Sequence, residues 1–466
     1  MEFRDHLAAL EARGDLLAVD APFPESGDPV AVAAEAARAN GPAVLFSDVP
    51  GRGRLAAGVR GGPDRMARRE RLPWSRVAVG LGLPPDADYE ATLERLTERP
   101  VDDPTVPTAP RAASDRDRDV AALCLPVAAG DRPAITAGLL VATVDGAPTW
   151  VPVRGEVRGR TVLRLHVPSA VAGRVAGERV SVALGVPTAA LLAAHLDAAG
   201  VQPWRSLTAP AVAAALSDDP VPVADAAGGV VPASAEVVLE GRAAPADAGS
   251  GSDSAGPPAG WEAVVEERPL SVAVERVATR PDPVVPFAPP GAPLADDLNL
   301  ACLAEGARLH ARVSGYWGVS PVSWVGLPVE TGLGICLVSS EVLYAGFEWQ
   351  LANTLFSFGR SFDKVVVLDS DAAFEDLAGA LDDMWVKAHP SHDWVFSEDS
   401  APAATAPTYR ADGATGARLY VNAAWDPRWD EEYIAPPVGF ESSYPASLRE
   451  AVSERWSEMG FEGADD

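Results

Sequence analysis

Side chains able to do chemistry are few in this sequence, and most of them admit two readings. His389 and His392 stand in AHPSHDW, with Pro390 between them. Two imidazoles so close can share a metal, but the proline argues for a loop, where solvated histidines are the simpler reading. Asp369 and Asp371 close the apolar run VVVLDSD. Ligands gather at the carboxyl ends of strands in α/β sheets, and Asp at such a place also caps the next helix. Cys124, Cys302 and Cys336 are odd in number and widely spaced, which argues against a disulfide framework or a zinc site and for small buried apolar side chains. Arg154 and His166 lie in strand-like apolar stretches, where Arg ordinarily finds a salt-bridge partner and His a satisfied place in a core. No GxxxxGK[ST], GxGxxG or HExxH occurs, so the common phosphate-cradling and zinc-hydrolase chemistries have no carrier.

The chain that carries these residues has 466 of them, 47% hydrophobic and 22% charged, a globular composition with length for two to four domains. MEFRDHLAAL reads as an amphipathic helix, so no signal peptide is expected, and no apolar run reaches about 18 residues, so no membrane span is expected. The formal net charge is −28, and Lys364 and Lys387 are the only lysines. Excess carboxylate with Arg as nearly the sole cation predicts a halophilic cytoplasmic protein; the acidic bias of a GC-rich genome is the alternative. Either way nucleic acid and anionic membranes are set aside as partners.

Residues 1–118 read as an α/β domain: a helix from Phe3 to Arg13 closed by Gly14, a strand Asp15–Asp20, a helix AVAAEAARAN, a strand PAVLF and a helix DYEATLERL. A Pro- and charge-rich stretch near 100–119 ends it. Residues 119–290 read as a mostly antiparallel split barrel, with strands AITAGLLVATV, TWVPVRGEV, TVLRLHV, VSVALGV and EVVLEG joined by short turns such as DGAP. A helix PTAALLAAHLDAA interrupts them, and the Gly-, Ser- and Pro-rich residues 242–260 are expected to form a mobile loop. Residues 291–466 return to α/β: helix NLACLAEGARLHARV, strand GICLVSS, one long helix EVLYAGFEWQLANTLFSFG, buried strand KVVVLDSD, helix AAFEDLAGALDDMW, then an irregular tail ending in a helix within SLREAVSERWSEM.

Several of these segments, in this order, resemble the UbiD-type decarboxylases, carboxy-lyases that use a prenylated flavin. FRDHLAALEARGDLLAVD followed by DPVAVAAEAARANGPAVLFSDVPG is similar to their opening. AITAGLLVATVDGAPTWVPVRGEVRGRTVLRLHV looks like their flavin-binding strands, VSVALGVPTAALLAAH and VVPASAEVVLEG follow in the family's order, and EVLYAGFEWQLANTLFSFGRSFDKVVVLDSDA is similar to their C-terminal helix and strand. The likeness covers most of residues 1–390, and VPASAEVVLEG is its most specific piece. It implies a mixed α/β fold with an N-terminal α/β domain, a central antiparallel split barrel holding prenylated FMN, and a C-terminal α/β domain. The implied reaction removes CO2 from an aromatic or α,β-unsaturated acid, with the flavin as electron sink.

By the same resemblance Arg154 matches the catalytic Arg, whose fork would hold a carboxylate. Thr149 stands where the family has an Asn that ligates the metal bridging the flavin phosphate; His166 matches a His found there in many members; the third ligand, a Glu, falls at Leu207 or Thr208. The divalent metal is therefore expected to be lost and flavin binding to be weak. The expected cofactor-binding residues are Thr136, Thr149, His166 and Arg418, the last in RLYVNAA at the place of a phosphate-contacting Lys. The family's Glu, Gly-Pro-aromatic-Gly run and second acid are replaced by ADAGSGSDSAGPPAG, whose acids are Asp247 and Asp253; Glu266 and Glu267 beyond it read as surface residues, and Glu236 and Glu240 as fold residues. Two functions stand: a carboxy-lyase whose proton comes from an acid in the 247–267 region, and a non-catalytic homologue acting as a regulatory or scaffold subunit or a small-acid binder. Expected partners are a small carboxylic acid and a second copy or another UbiD-like subunit.

Overall fold

The structure is a computed structural model that describes residues 1–20, 28–49, 53–62, 72–98, 100–116, 119–123, 125–127, 132–199, 201, 204–246, 267–289, 296–359, 361–397, 417–425, 439–456 and 458–460. The chain divides into units Met1–Ala424 and Trp425–Asp466. In the second, the described residues form helices Phe440–Ser443 and Ala446–Glu454.

Helix Phe3–Ala12 buries Phe3, His6, Leu7 and Leu10, the i, i+3, i+4, i+7 stripe of an amphipathic helix. It covers a four-stranded sheet in the order Leu16–Val19, Ala43–Val49, Gly53–Ala57, Val284–Phe287. The last of these arrives from far along the chain and pairs parallel to Gly53–Ala57. Asp28 starts helix Pro29–Arg38 by accepting the N–H of Val30 at 2.9 Å, with Pro29 at the first helical position.

Six antiparallel strands close into a barrel in the order Val237–Pro245, Arg179–Leu184, Ala134–Val144, Ala147–Gly159, Val162–Pro168, Glu267–Thr279, the last pairing back to the first. Ser114–Arg116 adds to the outside of Glu267–Thr279. The turn between Val144 and Ala147 is Asp145-Gly146, both at positive φ (50° and 82°), the conformation a two-residue hairpin needs to match strand twist. Leu140, Ala142, Val151 and Val153 face one core, and Leu139, Val141 and Trp150 another, so these strands are buried on both sides. The outer core is completed by helices Thr188–Ala199 and Ala209–Leu216. The expected loop 242–260 is corrected at its start. Arg242–Pro245 continue the barrel strand, pairing with Ser271–Ala273 and Leu270, because Ala243 belongs to the barrel core; residues 247–260 lie outside the described ones.

A five-stranded sheet runs Val322–Gly326, Ile335–Ser340, Lys364–Leu368, Arg418–Ala423, Trp394–Ser397, parallel at its centre and antiparallel at both edges. The long helix expected from Glu341 begins only at Phe347, because Gly346 at φ +86° breaks the backbone path before it, and it ends at Phe358. Helix Asp296–Val313 packs against helices Thr188–Ala199 and Tyr89–Thr97 and against strand Val322–Gly326, linking sheet and barrel. Tyr89 seals that junction among Trp74, Trp324 and Phe374, its hydroxyl donating to the Val325 carbonyl at 3.0 Å. No helix among the described residues is long and apolar enough to cross a membrane.

Two buried glutamates tie these parts together. Glu236 accepts Arg4 Nε and Nη2 at 2.7 Å each and the Val284 N–H at 3.1 Å, with Arg280 at 3.5 Å. Glu240 holds Arg111 at 2.7 Å and Arg276 at 3.2 Å.

Candidate active site

Arg154 and His166 are cross-strand partners on Ala147–Gly159 and Val162–Pro168. Thr136 lies beside them on Ala134–Val144, where the ladder steps from Ile135↔Gly155 to Gly138↔Val153; the extra residue makes a bulge that re-aims Thr136 and Ala137. All three line a cavity of about 120 Å³ between the outer barrel face and the helices Thr188–Ala199 and Asp296–Val313. Its walls are mostly apolar, with Pro152, Val153, Leu191 and Leu300 among them.

Four further polar residues enter this cavity: Arg60, His195, Asp296 and Asp297. Both aspartates sit in the first turn of Asp296–Val313, where a helix favours negative charge. Asp297 Oδ1 accepts the Leu298 N–H at 3.0 Å, and its Oδ2 stands 3.3 Å from Arg154 Nε; the two side chains are 14% and 13% exposed. Asp296 is 1% exposed, and its Oδ1 accepts the N–H groups of Arg60 (3.0 Å) and Gly61 (2.7 Å). Arg60, fully buried, donates Nε to Thr188 Oγ1 at 3.1 Å and Nη2 to the Val186 carbonyl at 2.8 Å, with its guanidinium over the Phe3 ring. Asp296 Oδ2 and Arg60 Nη1 are buried with no hydrogen-bond partner among the described residues, so the cavity wall carries polar groups that a ligand could satisfy.

Burial pushes the Asp296 carboxyl up, and the charge of Arg60 pulls against it. Burial lowers Arg60 to about 10, opposed by Asp296. His195 is pushed down to about 4 by burial and then by Arg60, so it is neutral at pH 7. Behind the cavity His6 falls to about 3, chiefly through burial. Its Nε2–H donates to the Arg76 carbonyl at 2.8 Å, leaving Nδ1 to accept from Thr188 Oγ1 at 3.1 Å.

The other expected positions lie elsewhere. Thr149 does not line the cavity: with side chains alternating along the strand it falls on the opposite face from Arg154, near the hairpin turn, its hydroxyl 3.4 Å from the Ala147 carbonyl. Arg418 does not line it either; it starts a strand of the other sheet with its guanidinium 5.2 Å from the Phe356 ring. Leu207 packs against the outer core, and Thr208 precedes helix Ala209–Leu216. Asp369 is paired with Lys387, which also holds Asp383, while Asp376 caps the next helix. His389 and His392 share the Ser391 hydroxyl in an exposed loop, and no group of three potential metal ligands occurs among the described residues. Cys302 and Cys336 are buried, and Cys124, Asp247, Asp253 and Glu266 lie outside the described residues. Glu267 opens the strand Glu267–Thr279.

Three family models match the chain: the 3-octaprenyl-4-hydroxybenzoate carboxy-lyase N-terminal domain over residues 7–96, its Rift-related domain over 131–293 and its C-terminal domain over 299–423. The chain is 24% identical over 297 residues to the pyrrole-2-carboxylic acid decarboxylase of Pseudomonas aeruginosa, a match that takes in 60% of this chain and 58% of that enzyme's length. Among solved structures it is similar to the UbiD-class enzyme HmfF from Pelotomaculum thermopropionicum in complex with FMN, at 20% identity and a TM-score of 0.75 over 94% of this chain and 98% of that one. An evolved dimeric form of HmfF in complex with prFMN matches at 20% identity and a TM-score of 0.71, over 96% and 99% of the two chains. The vanillic acid decarboxylase of Sedimentibacter hydroxybenzoicus in open form matches at 18% identity and a TM-score of 0.73, over 98% and 99%.

Proposed function

Because this chain belongs to the family of 3-octaprenyl-4-hydroxybenzoate carboxy-lyases, we propose that it removes CO2 from a small aromatic or α,β-unsaturated acid whose carboxylate is held by Arg154. The observation that carries this reading is the seat of Arg154, nearly buried on the wall of an apolar cavity that also holds Arg60 with an unmet donor. At about 120 Å³ the cavity is smaller than the roughly 300–1,000 Å³ of drug-sized pockets, and it suits a single-ring acid. The guanidinium fork orients the carboxylate, and the apolar walls exclude water from the ring.

The family's flavin supplies an electron sink when bound. Thr136 and His166 are the residues here that fit it: Thr136 Oγ1 accepts the Ala288 N–H at 2.8 Å and keeps its own proton to donate. The family's metal bridge does not fit this chain, since Leu207 is an apolar residue packed against the outer core and Thr149 faces away from Arg154. That mismatch favours a second reading, a homologue that binds small acids without converting them. A second copy of this chain is the assembly we propose, following the dimeric neighbour.

The test is the protein purified from a host that makes prenylated FMN, assayed for absorbance, bound metal and CO2 release from pyrrole-2-carboxylate, vanillate and 3,4-dihydroxybenzoate. We expect CO2 release that Arg154→Ala abolishes, without stoichiometric divalent metal. Acid binding that depends on Arg154, with no CO2 from flavin-loaded protein, establishes the second reading. Binding indifferent to Arg154→Ala overturns both.

A further inference from the structure

One imidazole on the cavity has no task in the fold. Helix Thr188–Ala199 is apolar along most of its length, with Leu192, Ala193, Ala194 and Leu196 fully buried in the outer core. His195 interrupts this run, and among the described residues it has no hydrogen-bond partner and no ion pair. A polar group so placed is costly unless something outside the fold answers it. Leu191 and His195, four positions apart, share the face that lines the cavity. His195 also keeps intermediate exposure while Ala194 and Leu196 have none, so the surface belongs to its side chain, and the cavity is where that side chain stands. The other two unmet atoms of the wall, Arg60 Nη1 and Asp296 Oδ2, are on residues sealed from solvent.

We propose that His195 selects the substrate: its imidazole hydrogen-bonds an uncharged hydroxyl on the ring of the acid, on the side away from the carboxylate that Arg154 holds. This rests on the carboxy-lyase reading of the cavity. The side of the ring follows from the packing. Helix Thr188–Ala199 lies over the strand Ala147–Gly159 that carries Arg154, and the cavity separates them. A flat ring whose carboxylate meets the strand turns its opposite edge to the helix.

The class of substituent follows from charge. Burial, and then Arg60, keeps His195 neutral at pH 7, so the ring offers one donor and one acceptor. A hydroxyl both gives and takes a hydrogen bond and therefore matches the imidazole in either tautomer. A second carboxylate does not match: His195 brings it no positive charge, Arg60 is directed at Thr188 and Val186, and Asp296 and Asp297 stand on the neighbouring helix. A bare ring matches no better. Water can serve the imidazole, but a ligand that displaces water without reproducing its hydrogen bond loses affinity. A site built to bond a hydroxyl rejects the analogue that lacks it, because its own polar group is then left unpaired.

The test sets benzoate against 3-hydroxybenzoate and 4-hydroxybenzoate on the full chain, by calorimetric binding and by CO2 release from flavin-loaded protein. We expect the wild type to favour a hydroxylated acid about 10–100-fold. His195→Phe keeps a flat ring without polar atoms and should bring that preference close to nothing by weakening the hydroxylated acid, with benzoate held as before. His195→Gln keeps a donor and an acceptor and should restore part of it. Circular dichroism checks both folds. A second readout needs no folded Phe variant: in ¹⁵N-histidine-labelled wild type, the ring signal assigned to His195 by its loss in His195→Gln should move with the hydroxylated acid and stay in place with benzoate. A wild type without preference, a preference that survives His195→Phe, or an unmoved His195 signal overturns this inference and leaves the Arg154 site standing. Acid binding that ignores Arg154→Ala overturns the reading beneath it.

Discussion

Replacing Arg60 by methionine tests the charge arrangement that supports the cavity. The guanidinium is fully buried, donates to Thr188 and Val186, and covers the Phe3 ring. Methionine keeps much of the volume and removes the charge. What stays behind is the Asp296 carboxylate, 1% exposed, with Arg76 as its remaining cation. No ion-pair contact joins Arg60 to Asp296, so the direct cost is that of the Thr188 and Val186 acceptors losing a charged donor, about 1–3 kcal/mol each, while Asp296 loses a favourable field. The carboxylate can escape this by protonating, because burial already raises its pKa and Arg60 is what holds it down. A carboxyl raised in the folded state binds a proton that the unfolded chain does not. Its stabilisation is therefore full below the unfolded value near 3.9 and is lost, at about 1.4 kcal/mol per pH unit, until the folded value is passed. His6 and His195 push the same way, since Arg60 helps to depress both. The cost of Arg60→Met should thus be about 2–6 kcal/mol at pH 8 and smaller by more than about 1 kcal/mol at pH 5. Urea unfolding followed by tryptophan fluorescence at fixed salt measures it. A cost that is flat from pH 5 to 8, or that grows toward acid, refutes the reasoning.

The wild type should be acid-labile: His6 and His195, at about 3 and about 4 when folded, are stabilising above the unfolded value near 6.5, and that stability is lost as pH falls toward the folded values. Two such residues give a slope of about 2.7 kcal/mol per pH unit between pH 6 and 4, and His6→Gln should roughly halve it in denaturant melts. Glu236→Ala should lower unfolding free energy by about 2–3 kcal/mol, at the low end for a buried clasp because Arg4 is 33% exposed; a loss under about 1 kcal/mol would count against the clasp. With a net charge of −28, the melting temperature should rise from dilute buffer to molar KCl, and an unchanged value would remove the argument from self-repulsion.

Much of the barrel was legible because its signals are local. Alternating apolar residues and Asp145-Gly146 specify a hairpin without help from the rest of the chain. EVLYAG misled because its apolar content resembles the helix it precedes, and a single glycine conformation decides the boundary. At the site, Arg154, His166 and Thr136 came from resemblance, and strand register brings them together. Asp297 was passed over because two acids opening a helix ordinarily mean capping and dipole effects, and nothing within its own neighbourhood points to Arg154. Arg60 and His195 are invisible for the same reason: their role exists only where three distant stretches meet. Thr149 and Arg154 share one strand, but an odd number of steps between them puts their side chains on opposite faces.

The strand Val284–Phe287, laid against Gly53–Ala57, has a consequence for synthesis. The ribosome finishes the first three strands of that sheet and then makes the whole barrel before their fourth neighbour emerges. At roughly 5–20 residues per second the nascent chain carries a row of unanswered backbone N–H and C=O groups for on the order of ten to fifty seconds. A fragment cut anywhere before residue 284 keeps that edge permanently. The opening segment is therefore not a module that can be excised or swapped at its own last residue, and a graft of it must bring the returning strand along.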